Sequence, residues 1–229
     1  PGHRDPGNAA HRAEIARLWG VESLPEAPGK TAVELFEAVA DGQIKLLWIA
    51  CTNPAQSLPE QALVRRALER CELVILQEAF GDTATAAYAD VLLPAASWGE
   101  KEGTVTNSER RISRVRAAVP PPGEARSDWQ IVRDIARRLE PQLRPGQASL
   151  FAWERPEQAW LEHREATRGR DLDITGLSYA RLEQAPAQWP CPEGAALGQA
   201  RLYADHRFAT PTGRARFQAI AWRPTAEGL

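Results

Sequence analysis

Three short apolar runs, each bounded by polar or turn-forming residues, dominate the central part of the chain. They are residues 44–51 (IKLLWIAC), 72–80 (ELVILQEAF) and 89–95 (ADVLLPA). A nearly continuous apolar run of this length is typical of a strand that is buried on both faces. Residues 57–71 and the Thr/Ala-rich residues 82–88 are predicted to be helical. This alternation of strand and helix predicts a parallel sheet with right-handed crossovers.

Amphipathic helices are predicted on either side of this strand-rich stretch. Residues 11–21 form a short helical pattern, and residues 31–42 (TAVELFEAVADG) begin with a capping box of Thr31 and Glu34. Residues 127–140 (SDWQIVRDIARRLE) carry a capping box at their start and an apolar stripe along one face. We therefore expect an α/β fold, in which a Rossmann-like parallel sheet carries helices on both faces.

The pattern weakens towards the end of the chain. Residues 156–169 and 174–184 predict helices, and residues 201–222 (RLYADHRFATPTGRARFQAIAW) predict a strand, a hairpin turn and a second strand. These elements are too few to predict a core of their own. We expect residues 1–140 to form the α/β domain and residues 141–229 to form a less regular helical and hairpin extension that packs on it.

Composition narrows the possible functions. The 28 Lys and Arg residues nearly balance the 30 Asp and Glu residues, and such interspersed charge is a poor nucleic-acid surface, so no nucleic-acid partner is expected. No apolar run approaches the roughly 20 residues of a membrane-spanning helix.

The cysteines, Cys51, Cys71 and Cys191, form no CxxC pair. Their spacing argues against a zinc site or an iron–sulfur cluster in this segment and favours a reduced, cytoplasmic protein.

Polar residues follow each predicted strand, in residues 51–57, 77–80 and 94–97. Open parallel sheets bind ligands beyond the carboxyl ends of their strands. Carboxylates such as Glu78 and Asp128 can accept hydrogen bonds from the N1–H and 2-amino groups of guanine, and Asn and Ser suit ribose hydroxyls and phosphate oxygens. The alternative is that these are ordinary polar loops and that Asp128 only favours the helix dipole. No glycine-rich phosphate-binding motif is present.

Other kinds of site have less support. The histidines are far apart in polar surroundings, and no serine lies in a GxSxG elbow. We therefore predict neither a metal site nor a catalytic residue within this chain.

Three strings in a fixed order carry a resemblance to a known family. They are residues 48–60 (WIACTNPAQSLPE), residues 72–111, which end in WGEKEGTVTNSERR, and residues 127–139 (SDWQIVRDIARRL). Together they resemble the molybdopterin oxidoreductases, which carry molybdenum between two molybdopterin guanine dinucleotides. The resemblance runs along the whole chain and is strongest over residues 28–140. Residues 2–21 are most similar to the branch of bacterial assimilatory nitrate reductases.

The resemblance implies a set of residues that hold one guanine dinucleotide. After the first strand, Cys51, Asn53 and Ser57 would face its phosphate–ribose portion. After the second, Gln77, Glu78 and Ala79 would meet the nucleotide, and Asp128 at the helix start would contact guanine. Related formate dehydrogenases place Gly at position 51 and Asp at positions 53 and 78. A contact at position 51 would therefore be made through backbone, as would the contact after the third strand. The candidate cofactor-binding residues are Cys51, Asn53, Ser57, Gln77, Glu78, Ala79, Ala95 and Asp128.

The expected function is to hold part of a bis-molybdopterin guanine dinucleotide cofactor in an enzyme that reduces nitrate to nitrite. The resemblance also implies a [4Fe–4S] cluster and an electron-donor protein or subunit, both outside this chain. The sequence contains no Met and no cysteine cluster, so we expect an internal segment that is inert without the remainder of its polypeptide. Two alternatives stay open: the equivalent segment of a formate dehydrogenase, and a free-standing nucleotide-binding module.

Overall fold

A parallel sheet lies at the centre of the fold. The computed structural model describes residues 2–222 and 224. Its first sheet contains β1 (Leu46–Ala50), β2 (Leu73–Glu78) and β3 (Val91–Pro94), in the order β1-β2-β3 with both pairings parallel. The three strands lie within the three predicted apolar runs, so the predicted α/β class is confirmed.

Two helices before the sheet begin at side-chain caps. Helix α1 (Ala9–Trp19) starts after Asn8, whose side chain accepts hydrogen bonds from two backbone N–H groups of the first turn. The start is earlier than predicted because an Asn cap followed by two alanines extends the helix. Helix α2 (Ala32–Ala40) has the predicted capping box of Thr31 and Glu34.

The helices between the strands differ from the predicted ones. The helix predicted over 57–71 begins later, as α4 (Gln61–Arg70), because Pro59 disfavours helix at the residue before it. A separate short helix that was not predicted, α3 (Pro54–Ser57), precedes it. The segment before β3 forms a 3-10 helix (Ala84–Tyr88) instead of an α-helix. It contains Thr85, whose side chain is fully buried.

Helices α2 and α4 cover one face of the sheet. Because strand side chains alternate between faces, Val74 and Leu76 point to these helices while Gln77 points away from them. Burying each large apolar side chain of this core contributes about 1.5–3 kcal/mol. The core consists of Phe36, Val39, Leu47, Ile49, Ala55, Val64, Ala67, Leu68, Val74 and Leu76.

A second sheet is antiparallel and joins distant parts of the chain. Strands β4 (Gly103–Thr106) and β5 (Arg111–Val115) form a hairpin, and β6 (Ala187–Gln188) pairs with β5. Helix α5 (Asp128–Leu143) lies between β5 and β6 in sequence and continues three residues past its predicted end, through Pro141.

In contrast to the sequence-based expectation, a second hydrophobic cluster forms beyond residue 140. It lies around helices α6 (Pro156–Glu165) and α7 (Tyr179–Gln184). All but one of its buried members belong to the predicted extension, and Ile112 comes from β5. The buried members are Ile112, Trp160, Ile174, Leu177, Tyr179, Leu182 and Cys191. The domain division at residue 140 stays a prediction.

The hairpin predicted over residues 201–222 does not form. The structure describes turns and irregular backbone there, with no strand in residues 201–222. Phe217, Ile220 and Trp222 are 95%, 84% and 85% exposed, so no buried face is present to support a pair of strands. No described helix is long and apolar enough to cross a membrane.

Candidate functional site

The strands of the parallel sheet end side by side, and the following residues form one continuous rim. The backbone N–H of Cys51 donates to the carbonyl oxygen of Gln77 at 3.1 Å, and that of Ala95 donates to the carbonyl oxygen of Glu78 at 3.0 Å. The predicted residues of all three loops therefore lie along the same edge of the sheet.

Three side chains at this rim donate hydrogen bonds to one carboxylate, that of Asp128. Oδ1 of Asp128 accepts hydrogen bonds from Nε2 of Gln77 at 2.8 Å and from Sγ of Cys51 at 3.4 Å. Oδ2 accepts from Nζ of Lys101 at 2.7 Å. We call these four residues the Asp128 cluster.

Local sequence explains why the cluster forms. Asp128 is the first residue of α5, which the predicted capping box of Ser127 and Gln130 fixes in place. Gln77 points away from the α2–α4 face of the sheet, which brings its amide to the start of α5. Its Oε1 atom is buried and has no hydrogen-bond partner among the described residues. This atom is thus an unsatisfied acceptor beside a half-buried charge.

The charge state of the cluster follows from its contacts. Burial would raise the pKa of Asp128, but hydrogen bonds from Lys101 and Gln77 outweigh it, and the pKa lies below its ordinary value. Burial raises the pKa of the Cys51 thiol, and the charge of Asp128 raises it further. Cys51 is therefore a neutral S–H donor at neutral pH and not an activated nucleophile.

The backbone at Cys51 adopts an unusual conformation. Its φ is 58°, in the left-handed region that glycine adopts without strain and other residues avoid. The conformation turns the chain sharply after β1 and aims the thiol at Asp128.

Asn53 has a structural role at the same rim. Its Oδ1 accepts hydrogen bonds from the backbone N–H and the hydroxyl of Thr85, at 3.1 and 2.6 Å, and its Nδ2 donates to Gln56. The hydroxyl of Thr85 in turn accepts from the N–H of Ala55 at 3.1 Å. Asn53 thereby joins the loop after β1 to the 3-10 helix, and its polar atoms are already hydrogen-bonded within the protein.

The side chains of the other predicted residues form no hydrogen bond with the Asp128 cluster among the described residues. The carboxylate of Glu78 accepts from the N–H of Ala79 at 2.7 Å and therefore stabilises its own turn. Ser57 ends α3 with an exposed side chain that makes no hydrogen bond within the described part of the chain. Ala95 is buried.

Sequence reasoning missed two residues of the site, Lys101 and Trp98. Nζ of Lys101 lies 5.1 Å from the ring centre of Trp98, whose side chain is 61% exposed. Both residues, together with Asp128, line a cleft of about 330 Å³ that Trp160 and Tyr179 also line. One available signal was that Lys101 is one of very few lysines in a chain that otherwise uses arginine.

Open parallel α/β sheets bind ligands beyond the carboxyl ends of their strands, which is where this carboxylate and ammonium group lie. The family profile described as molybdopterin oxidoreductase matches residues 3–138. This chain therefore belongs to the molybdopterin oxidoreductase family, whose cofactor combines molybdenum with a pterin.

Several relatives are similar over nearly the whole chain. A nitrate reductase of Klebsiella oxytoca is 43% identical over 92% of this chain and 24% of its own length. The assimilatory nitrate reductase catalytic subunit of Bacillus subtilis is 41% identical over 98% of this chain and 31% of its own length. Formate dehydrogenase H of Escherichia coli is 35% identical over 97% of this chain and 30% of its own length. The chain thus spans about a quarter to a third of these relatives.

A solved structure shares the fold. Acetylene hydratase from Pelobacter acetylenicus aligns with a TM-score of 0.58 at 22% sequence identity, over 89% of this chain and 26% of that protein. At this identity the likeness supports the architecture alone.

Proposed function

We propose that the Asp128 cluster holds the guanine end of a molybdopterin guanine dinucleotide. The observation that carries this proposal is the pairing of Asp128 with Lys101 at 2.7 Å, at the edge of the sheet where such folds bind nucleotides. The other atoms of the cluster, and the exposed ring of Trp98, lie around this pair.

The chemistry of the cluster suits guanine better than adenine. Guanine presents two adjacent donors, N1–H and the 2-amino group, beside the acceptor O6. The oxygens of Asp128 would accept from the donors, and the ammonium of Lys101 would donate to O6 or to a phosphate. Adenine has an unprotonated N1 at the same place. This atom cannot donate a hydrogen bond to the carboxylate.

The predicted roles at the rim change in the light of the contacts. Gln77 and Cys51 would hold the Asp128 carboxylate ready for the base, and Asn53 would shape the loop through Thr85. Ser57, Glu78, Ala79 and Ala95 stay candidates for contacts with the phosphate–ribose portion. When bound, the molybdenum cofactor supplies the two-electron chemistry, while these residues bind and orient it.

Binding of guanosine diphosphate (GDP) to the chain tests this assignment by calorimetry. We expect GDP to bind at least about tenfold more tightly than ADP, because a single mispaired polar edge costs on the order of 1–3 kcal/mol. Asp128→Asn should abolish the preference. Asp41→Asn, an exposed change at the end of α2, should keep it. Equal binding of GDP and ADP to the wild-type chain would reject the proposal.

The reaction we propose for the full enzyme is reduction of nitrate to nitrite. The Klebsiella and Bacillus relatives, which are named as nitrate reductases, support this choice over formate oxidation, which the similarity to formate dehydrogenase H keeps as the second candidate. Assays of the full-length enzyme with nitrate and with formate decide between them. Activity with formate alone would reject the first choice.

The partners follow from the same proposal. We propose that the remainder of the polypeptide supplies a [4Fe–4S] cluster and the second half of the cofactor cradle, and that a separate protein or subunit donates electrons.

The three cysteines are all unpaired, which supports the expected cytoplasmic location because cytosolic thiols stay reduced.

A further inference from the structure

An aromatic pocket lies outside the nucleotide site and is built from three distant segments. The end of α1 provides Trp19, the segment between α5 and α6 provides Phe151 and Trp153, and the middle of α6 provides Glu162. Val21 and Leu150 complete the lining of a space of about 300 Å³. We call it the Trp153 pocket.

The rings of the pocket are held in a defined arrangement. The Phe151 and Trp153 ring centres lie 5.3 Å apart with their planes at 75°, which is a favourable edge-to-face geometry. The side chain of Trp19 is 40% exposed, so the pocket is accessible from solvent. Aromatic faces carry negative partial charge and attract cations.

A carboxylate without a cationic partner completes the pocket. Oε2 of Glu162 accepts a hydrogen bond from Nε1 of Trp153 at 2.9 Å, which fixes the carboxylate against that ring. Oε1 accepts no hydrogen bond, and Glu162 forms no ion pair among residues 2–222. The pocket therefore keeps one negative charge unmatched.

Neighbouring charges do not neutralise Glu162. Arg133 pairs with Asp134 at 2.8 Å, and Arg137 pairs with Glu154 at 2.8 Å. Both arginines also donate to backbone carbonyl groups of residues 151–153. Their guanidinium groups are therefore bonded to partners other than Glu162. The combination of aromatic faces with an unmatched carboxylate is the chemistry that recognises an organic cation.

We propose that the Trp153 pocket binds an organic cation with an apolar body, such as an alkylammonium or alkylguanidinium group. The rings would contact the apolar body and the charge, and Oε1 of Glu162 would provide the counter-ion. This site is independent of the proposed nucleotide site, because the two share no lining residue.

The test compares probes of equal shape and different charge. Choline and its neutral isostere 3,3-dimethylbutan-1-ol are titrated into the isotopically labelled chain, and the indole N–H signals of Trp19 and Trp153 are followed by NMR. We expect choline to shift these signals and to bind about five- to tenfold more tightly than the isostere. Equal binding would show an apolar pocket with no preference for charge and would overturn the proposal.

A second arm separates a small free ligand from the side chain of another protein. N-acetyl-arginine methylamide presents the guanidinium group as a peptide would. Tighter binding than choline assigns the pocket to an arginine side chain, and weaker binding assigns it to a small alkylammonium ligand. Failure of both cations to shift either indole signal rejects the site.

Variants confirm that the charge acts through Glu162. Glu162→Gln keeps the shape and should remove the preference for choline over its isostere, whereas Glu69→Gln, an exposed change of equal charge on α4, should keep it. Trp153→Phe removes the indole N–H and should weaken choline binding, while Trp222→Phe, at an 85% exposed position, should not. An unchanged preference in Glu162→Gln contradicts the proposal.

Discussion

Nζ of Lys101 lies 2.7 Å from Oδ2 of Asp128, across 27 positions of sequence. This contact joins the residue that follows the 3-10 turn Trp98–Glu100 to the first residue of α5. It pairs the ammonium group of the site with its carboxylate.

Loss of this contact should change the titration of Asp128. In Lys101→Met, burial of the carboxylate is no longer offset by the ammonium, so the pKa of Asp128 should rise. NMR titration of the carboxyl carbon measures this directly. The free energy of unfolding should fall by about 1 kcal/mol, because the pair is only partly shielded from water.

Lys45→Met provides the matched control for that change. Lys45 pairs with Glu72 at 2.9 Å, but both side chains are largely exposed. We expect the free energy of unfolding of this variant to lie within about 0.5 kcal/mol of that of the wild type. The pKa of Asp128 should not change. An equal effect of both variants would show that Lys101 has no special role.

Replacement of Cys51 should separate backbone strain from side-chain contact. Cys51→Gly and Cys51→Ala both remove the thiol donor, but only glycine relieves the φ of 58°. The glycine variant should therefore be more stable than the alanine variant by about 1 kcal/mol, as measured by urea unfolding. An alanine variant that equals or exceeds glycine would mean that the backbone at this position is not strained.

The Asn53–Thr85 contact should be important for the loop after β1. Thr85→Val removes the hydroxyl that bonds Asn53 and Ala55 inside a fully buried site. Because those groups are then left unpaired, the free energy of unfolding should fall by on the order of 2 kcal/mol. Thr52→Val, on the exposed part of the same loop, should cost less than about 0.5 kcal/mol. Similar losses in the two variants would contradict a specific role for Thr85.

Stability in acid should depend on Glu14. A hydrogen bond from Arg4 lowers the pKa of Glu14 from 4.5 to about 2. The folded state therefore binds the proton less readily than the unfolded state. The resulting stabilisation is complete above pH 4.5 and is lost as the pH falls towards 2. Glu14→Gln should flatten the pH dependence of unfolding in that window, and an unchanged slope would contradict the assignment.

The sequence predicted the parallel sheet and the position of its binding edge because both depend on local patterns. The apolar runs define β1, β2 and β3, and the capping box at Ser127 places Asp128 at the start of a helix. Whether Asp128 belongs to a site depends on contacts with Gln77 and Lys101, which lie 51 and 27 residues away. No local pattern specifies such contacts.

The second core was missed for a related physical reason. Its apolar residues are scattered over short elements and become a cluster only when Ile112 of β5 packs against α6 and α7. The alternation over residues 201–222 predicted strands, but strands need a partner surface as well as a pattern. The exposure of Phe217 and Ile220 shows that none is present among the described residues.

The order in which the cleft-lining residues occur along the chain has a consequence for synthesis. A chain that has emerged from the ribosome only as far as α5 already contains every member of the Asp128 cluster. It lacks Trp160 and Tyr179, which line the cleft beside the cluster. Because domains fold as they emerge, from the N-terminus onwards, the carboxylate is assembled first and the enclosure around it last. The nucleotide site therefore stays open on one side until the chain has been made as far as Tyr179.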